Sequence, residues 1–203
     1  IQPISTLAQV VSRKQATSLH TEPPELAALL ETTWSWLEAD RRQRRIVVLG
    51  NPTYPPSLLT IEDPPLMLYL LGGQRNESTG NSENEGPNSP PALVQYAQTA
   101  TDLIANSLAS GIAIVGSRNP TPQGAANARH FAKAFSEAGL TVVSGLALGV
   151  DGAAHEGALD GLGPNDNRLA TIAVVGTGLD RVYPKDHRDL AHRIAENGLI
   201  ISE

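Results

Sequence analysis

Cysteine is absent from the 203 residues. Disulfides, thiolate-bound zinc, iron–sulfur clusters and cysteine nucleophiles are therefore excluded. Aromatic residues make up only 4%, too few for an extended stacking platform along a single strand. No apolar run reaches membrane-spanning length, and Ile1-Gln2-Pro3-Ile4 does not read as a signal peptide. A cytoplasmic location is the expectation. Positive charge is also scarce, with 15 Lys and Arg against 21 Asp and Glu, a net charge of −6. That argues against a surface that grips duplex DNA everywhere, but it leaves room for a local basic pocket. No dense spacing of metal ligands occurs, and neither a metal nor a cofactor is expected.

The length suffices for one good core and a small appendage. Residues 1–45 read as helical and accessory, with apolar residues at helical spacing over Ser5 to Leu19 and Pro24 to Leu37 and a break at Thr21-Glu22-Pro23-Pro24. The basic run Arg41, Arg42, Arg44 and Arg45 reads as a solvated helix end, with a nucleic-acid contact as the alternative. Ile46 to Leu49 is a short strand, and Pro65 to Leu71 is a second apolar stretch that stops at Gly72-Gly73. Residues 74–91 carry no core-forming side chain and are expected to be a flexible insertion.

Beyond residue 92 the pattern alternates between helix and strand. Helices are predicted over Leu93 to Leu108, Gln123 to Ala138, a short stretch from Asp151, and Asp186 to Asn197. Strands are predicted at Ile112 to Val115, Leu140 to Val143, Thr171 to Val175 and Leu199 to Ile201. Such apolar strands with helix-length connections predict an α/β fold, a Rossmann-like parallel sheet with helices on both faces, preceded by a small helical segment. The chain starts on Ile1 and stops on Glu203 directly after an apolar run, so a piece of a longer protein is expected.

Ligands of open parallel sheets bind beyond the carboxyl ends of the strands. Here those ends carry Gly116-Ser117-Arg118, then Ser144-Gly145 with Gly149, then Gly176-Thr177-Gly178. Glycine lets a ligand approach the backbone, and helix starts beyond each loop direct N–H groups and dipoles at the same crevice. Each loop alone could be a tight turn. Together they predict an anion site, with phosphate the commonest anion. Neither a dinucleotide G-x-G-x-x-G nor a P-loop is present. Arg118 leads the candidates as a phosphate fork, against a structural salt bridge. Ser117, Ser144 and Thr177 could add hydroxyl donors or cap helices. Asp151 and His155 share a helical face; the reading favours a first-turn acid or cap and a packed, hydrogen-bonded histidine. Lys185, in Tyr183-Pro184-Lys185-Asp186-His187-Arg188, could reach the crevice, as could Arg188, while Asp186 could cap the helix.

These blocks resemble the DNA-processing protein DprA (Smf) family. Gly111 to Pro120 (GIAIVGSRNP) is similar to the family's first strand and G-S-R loop. Ser144 to His155 (SGLALGVDGAAH) resembles its S-G-x-A-x-G-x-D-x-x-A-H signature, Thr171 to Pro184 its third block, and Gly198 to Glu203 the start of its fourth. Upstream, Tyr54 to Leu59 with Asp63-Pro64-Pro65 and Leu70-Leu71-Gly72 resembles the entry to the same domain. The likeness spans 46–203 apart from the insertion, and it makes 1–45 the remnant of a helical, SAM-like domain. It implies a non-catalytic protein that binds single-stranded DNA, helps load RecA during natural transformation (competence) and DNA recombination, forms homodimers and works with single-strand binding protein. By position, Ser117 and Arg118 would hold backbone phosphate, with Gly116 beside them in the DNA-binding loop. Ser144, Gly145, Gly149 and Asp151 would shape the pocket, and Gly176, Thr177, Gly178 and Tyr183-Pro184 its rim. Two departures stand out: Leu148 replaces an expected arginine, and Gln123 replaces a frequent tyrosine. An incomplete sheet edge, and weaker DNA and dimer contacts than in a longer protein, are expected. Two rival readings use the same crevice: a nucleoside-monophosphate hydrolase with Asp151 as its carboxylate, and a nucleotide-binding sensor without turnover.

Overall fold

The computed structural model describes residues 3–73, 104–164, 166 and 168–203. They form two compact units, 1–39 and 40–203. Residues 74–91 and most of the helix expected at Leu93 to Leu108 lie outside the described residues. No helix among those described is long and apolar enough to cross a membrane.

The first unit holds α1 (Ile4–Leu7), α2 (Arg13–His20) and α3 (Leu26–Ala39). The single helix expected over Ser5 to Leu19 is split because Ser12 starts a new one. Its hydroxyl accepts from the Gln15 N–H at 3.3 Å, while Gln15 Oε1 accepts from the Ser12 N–H at 3.0 Å, a capping box. The Pro23-Pro24 pair then separates α2 from α3.

The arginine run is a helix end only in its first half: Arg41 and Arg42 are exposed in the turn that follows α3, whereas Arg44 and Arg45 are not at a helix end. Helix α3 stops at Ala39, and the Asp40 carboxylate accepts from the N–H groups of Arg42 and Gln43 at 3.1 and 3.2 Å, turning the chain. Arg44 and Arg45 enter strand β1 (Arg44–Val48), paired with Leu71 and Leu70. Pairing therefore extends the β-branched Ile46-Val47-Val48 run towards its N-terminus and overrides the helical reading. Arg45 Nη2 donates to the Gly72 carbonyl at 2.8 Å, so this cation braces the sheet.

The second unit is built on a six-stranded sheet in the order β1-β2-β6-β5-β4-β3, with β2 at Met67–Gly72, β3 at Gly111–Ala113, β4 at Thr141–Ser144, β5 at Thr171–Val175 and β6 at Leu199–Ser202. Strands β3 to β6 are parallel, as the helix–strand alternation requires. Strand β2 joins β6 antiparallel and β1 joins β2 antiparallel, so the sheet is mixed.

The crossover helices are α5 (Pro122–Glu137), α6 (Val150–Asp160) and α7 (Arg188–Asn197), while 104–109 is helical and is labelled α4. Each crossover steps to the neighbouring strand in the same direction, and right-handed connections then place α5, α6 and α7 on one face. The side chains agree. Val142 packs with Ala132, Ala154 and Ala158, and Ala173 and Ile200 pack with Leu190, Ala191 and Ile194. On the other face Ile172, Leu199 and Ile201 meet Leu68, Leu70, Tyr54 and Ile104 of α4. The period-two alternation of the strands thus feeds two cores, and the carboxyl ends of β3, β4 and β5 share one edge.

Candidate nucleic-acid interface

Three loops leave that edge. The first, 114–121, ends where Thr121 caps α5, its hydroxyl accepting from the Gly124 N–H at 3.1 Å with Pro122 opening the helix. The second, 145–149, leads into α6. The third runs from Gly176 to His187, closing with a single 3-10 turn over Lys185–His187 before α7.

The first two interlock through backbone. The Val150 N–H donates to the Ser117 carbonyl at 3.1 Å. Gly149 has φ +86°, and a β-carbon there would press into the Ser117 carbonyl and stand 2.7 Å from Pro120 and 2.8 Å from the Arg118 carbonyl carbon. A β-carbon on Gly116 would meet the Val150 side chain at 2.9 Å. Glycine is needed at both positions so that the loops can touch.

Asp151 is buried in the first turn of α6, whose N-cap is Gly149, and its carboxylate accepts from the Ala147 N–H at 3.3 Å. It also crowds Gly145, where a β-carbon would stand 2.9 Å from Asp151 Oδ2. This acid holds the second loop. The Ser144 hydroxyl donates to the Ile114 carbonyl at 2.7 Å and is buried, so it ties β4 to the first loop and has no proton left for a phosphate. Ser117 keeps its proton, since its oxygen accepts from the Asn119 N–H at 3.0 Å.

Arg118 is exposed. Its side chain makes no hydrogen bond or ion pair among the described residues, and the backbone N–H groups of Gly116, Ser117 and Arg118 are equally unengaged there. Lys185 and Arg188 are likewise exposed cations whose side chains have no described partner. By contrast Arg129 pairs with Glu156 and Asp160 at 2.9 and 2.7 Å, and Arg168 with Asp166 at 3.1 Å. Those pairs are structural. The unengaged cations stand on the first loop, the third loop and the start of α7.

The third loop is anchored by Ser202, whose hydroxyl donates to the Thr177 carbonyl at 2.8 Å, and Asp180 approaches Gly178 and pairs with Arg181 at 3.2 Å. Asp186 caps nothing: α7 has His187 at its N-cap and no side-chain cap bond. His187 instead donates from Nδ1 to the Leu146 carbonyl at 2.9 Å, and Gly152 leaves room for its ring, since a β-carbon there would stand 2.6 Å from it. Leu146 has φ +59° and is buried, so this tether fixes a residue in a left-handed turn. The loops that sequence reading treated as converging are thus physically joined: the first to the second by backbone, the second to the third by His187.

His155 is fully buried, with Nδ1 2.7 Å from the Thr171 hydroxyl oxygen. Thr171 donates its own proton to the Val142 carbonyl at 2.7 Å, so His155 carries its proton on Nδ1 and is the donor. Burial, and secondarily the charge of His187, push its pKa down to about 3. It is a neutral core histidine.

A cleft of about 620 Å³ opens where α7 meets the antiparallel end of the sheet, lined among others by Arg44, Leu71, Ile200, Lys185, Arg188 and His192. Lys185 therefore faces this cleft, which the third loop borders through Leu179 to Val182; none of its lining belongs to the first two loops. The sequence suggests Lys185 and Arg188 for the crevice of the glycine loops; the structure puts both on this cleft instead, together with His192 and Arg44. The four-residue spacing of Arg188 and His192 on one helical face was the available signal for the former; Arg44 had none, because only the sheet register brings it opposite Leu71.

Interlocked glycine loops at the carboxyl edge of a parallel sheet, with exposed cations that have no partner among the described residues, define an α/β protein with a candidate anion surface. The chain belongs to a family of that class: residues 84–203 match the family model of DNA recombination-mediator protein A. Protein Smf of Synechocystis sp. is 35% identical over 82% of this chain and 34% of its own. DNA processing protein A from Helicobacter pylori, whose structure was solved for its unique single-stranded DNA binding mode, superposes with TM-score 0.53 and 28% identity over 79% of this chain and 56% of its own. DprA from Streptococcus pneumoniae gives TM-score 0.61 and 25% identity over the whole of this chain and 56% of its own. The chain thus spans about a third of the Smf relative and just over half of the two solved chains.

Proposed function

We propose that this chain binds single-stranded DNA through backbone phosphates, at the crevice of the interlocked loops, as the non-catalytic DNA-holding part of a cytoplasmic recombination mediator. The observation that carries it is Arg118: an exposed guanidinium with no partner among the described residues, beside N–H groups at Gly116 to Arg118 that are unengaged there. A planar fork next to backbone donors suits a phosphate, and phosphate contacts hold a strand without reading it. A few exposed cations at the site, on a chain of net charge −6, favour a single strand over a duplex, which a broad basic face would suit better. The Helicobacter pylori relative supports the same ligand. In a longer protein this activity serves loading of the RecA recombinase during natural transformation, by a homodimer working with single-strand binding protein.

The absence of catalysis is supported by Asp151, the acid a hydrolase would need. It is buried and engaged with Ala147 N–H. Titration of a labelled oligonucleotide and its duplex at fixed salt tests the proposal, with nucleoside monophosphates assayed for binding and turnover alongside. Tighter binding of the single strand and no turnover are expected. Equal or better duplex binding, or turnover lost in Asp151→Asn with the fold intact, contradicts the reading.

A further inference from the structure

The cleft beside α7 has a composition of its own. Its floor is apolar, with Leu71 of β2 and Ile200 of β6 facing Ala191 and Ala195 of α7. Its margins carry the exposed cations Lys185 and Arg188 and the exposed imidazole of His192, and Arg181 already holds the lining acid Asp180 at 3.2 Å. Arg44 also faces it, because its register with Leu71, and that of Leu71 with Ile200, puts them on one side of the sheet. An apolar floor under a cationic rim suits a flat apolar group that carries negative charge on a short tether. A nucleotide has that form: the base lies on the floor and against a guanidinium face, and the phosphate meets the cations. The volume of about 620 Å³ falls in the range that encloses small ligands.

We infer that this cleft is a second subsite that takes one nucleotide of the same strand held by the glycine loops. The inference rests on the single-strand reading and adds where the strand goes next. Continuity argues for it over a separate partner. Lys185 belongs at once to the cleft and to the loop that His187 ties to Leu146, so the cleft begins where the tethered loops end. The strand would pass from Arg118 across the second and third loops to Lys185, and place a base beyond Arg188.

The test uses oligothymidylates of increasing length and fluorescence anisotropy on the parent, on Arg188→Ala/His192→Ala and on Arg118→Ala. Arg188 and His192 are exposed, so melts of the double variant should match the parent. The double variant should bind long oligonucleotides roughly tenfold more weakly, the scale of one charge-assisted contact. Its affinity should also stop rising at a shorter length than the parent's, whereas Arg118→Ala should weaken every length, the shortest included. Parental affinity and plateau length in the double variant, with Arg118→Ala impaired, overturn the second subsite and leave the loop crevice standing. If Arg118→Ala is unimpaired as well, the single-strand reading fails and the subsite with it. A labelled oligo-glutamate peptide that binds the parent, is lost from the double variant and is not displaced by oligonucleotide also overturns the subsite, since the occupant is then an acidic peptide.

Discussion

Gly149 and Ser117 are locked together: the Val150 N–H holds the Ser117 carbonyl at 3.1 Å, and no β-carbon fits on Gly149 beneath it. This contact lets two loops from different strands act as one continuous surface. Gly149→Ala must both strain a backbone at φ +86° and push Ser117 away. It should cost about 2 to 4 kcal/mol in a urea melt and weaken single-strand binding as well. A loss below about 1 kcal/mol would show that the loops can separate freely.

His155 gives the fold an acid-labile centre. Its folded pKa is pushed down to about 3, against an ordinary value of 6.5 in the unfolded chain. Between those values the unfolded chain binds a proton that the folded one refuses, so stability is intact above pH 6.5 and falls as the pH drops towards 3. The slope is about 1.4 kcal/mol per pH unit for one such group. Urea melts between pH 7 and pH 4 should show that slope in the parent and lose it in His155→Gln, the carboxylate background being common to both. Parallel stability curves would contradict a neutral buried histidine.

Leu148 is 42% exposed, at the turn that ends the second loop. An arginine there reaches water without being buried, so it adds a cation beside the crevice at little cost in stability. Leu148→Arg should tighten single-strand binding about three- to tenfold and steepen its salt dependence by roughly one phosphate's worth, with an unchanged melt. Unchanged affinity and slope would place this turn off the path of the strand.

Much of this was legible in the sequence. Helix-to-strand periodicity located β4, β5, α5 and α6 to within about a residue or two, because their apolar faces bury against one core. The glycine loops were legible because parallel strands bring their carboxyl ends to one edge whatever the details. Side-chain use was less so. Ser144 looked like a phosphate donor, yet its proton goes to Ile114 across 30 residues of sequence, a pairing only the sheet creates. Arg44 and Arg45 looked like a solvated helix end because local charge patterning carries no information about long-range register. The His187–Leu146 tether, 41 residues apart, was invisible for the same reason.

The most direct measurement is single-strand affinity of Arg118→Ala against salt concentration, with a thermal melt beside it. The exposed, unpaired guanidinium carries no folding contact among the described residues, so the melt should stay where it is. Affinity should fall by about 1 to 3 kcal/mol, and the salt dependence should flatten by roughly one ion's worth. Oligonucleotides of different base composition should lose equally, because the contact is to the backbone. If Arg118→Ala binds as tightly as the parent, with the same salt slope and the same melt, the interlocked loops are not where this chain holds DNA.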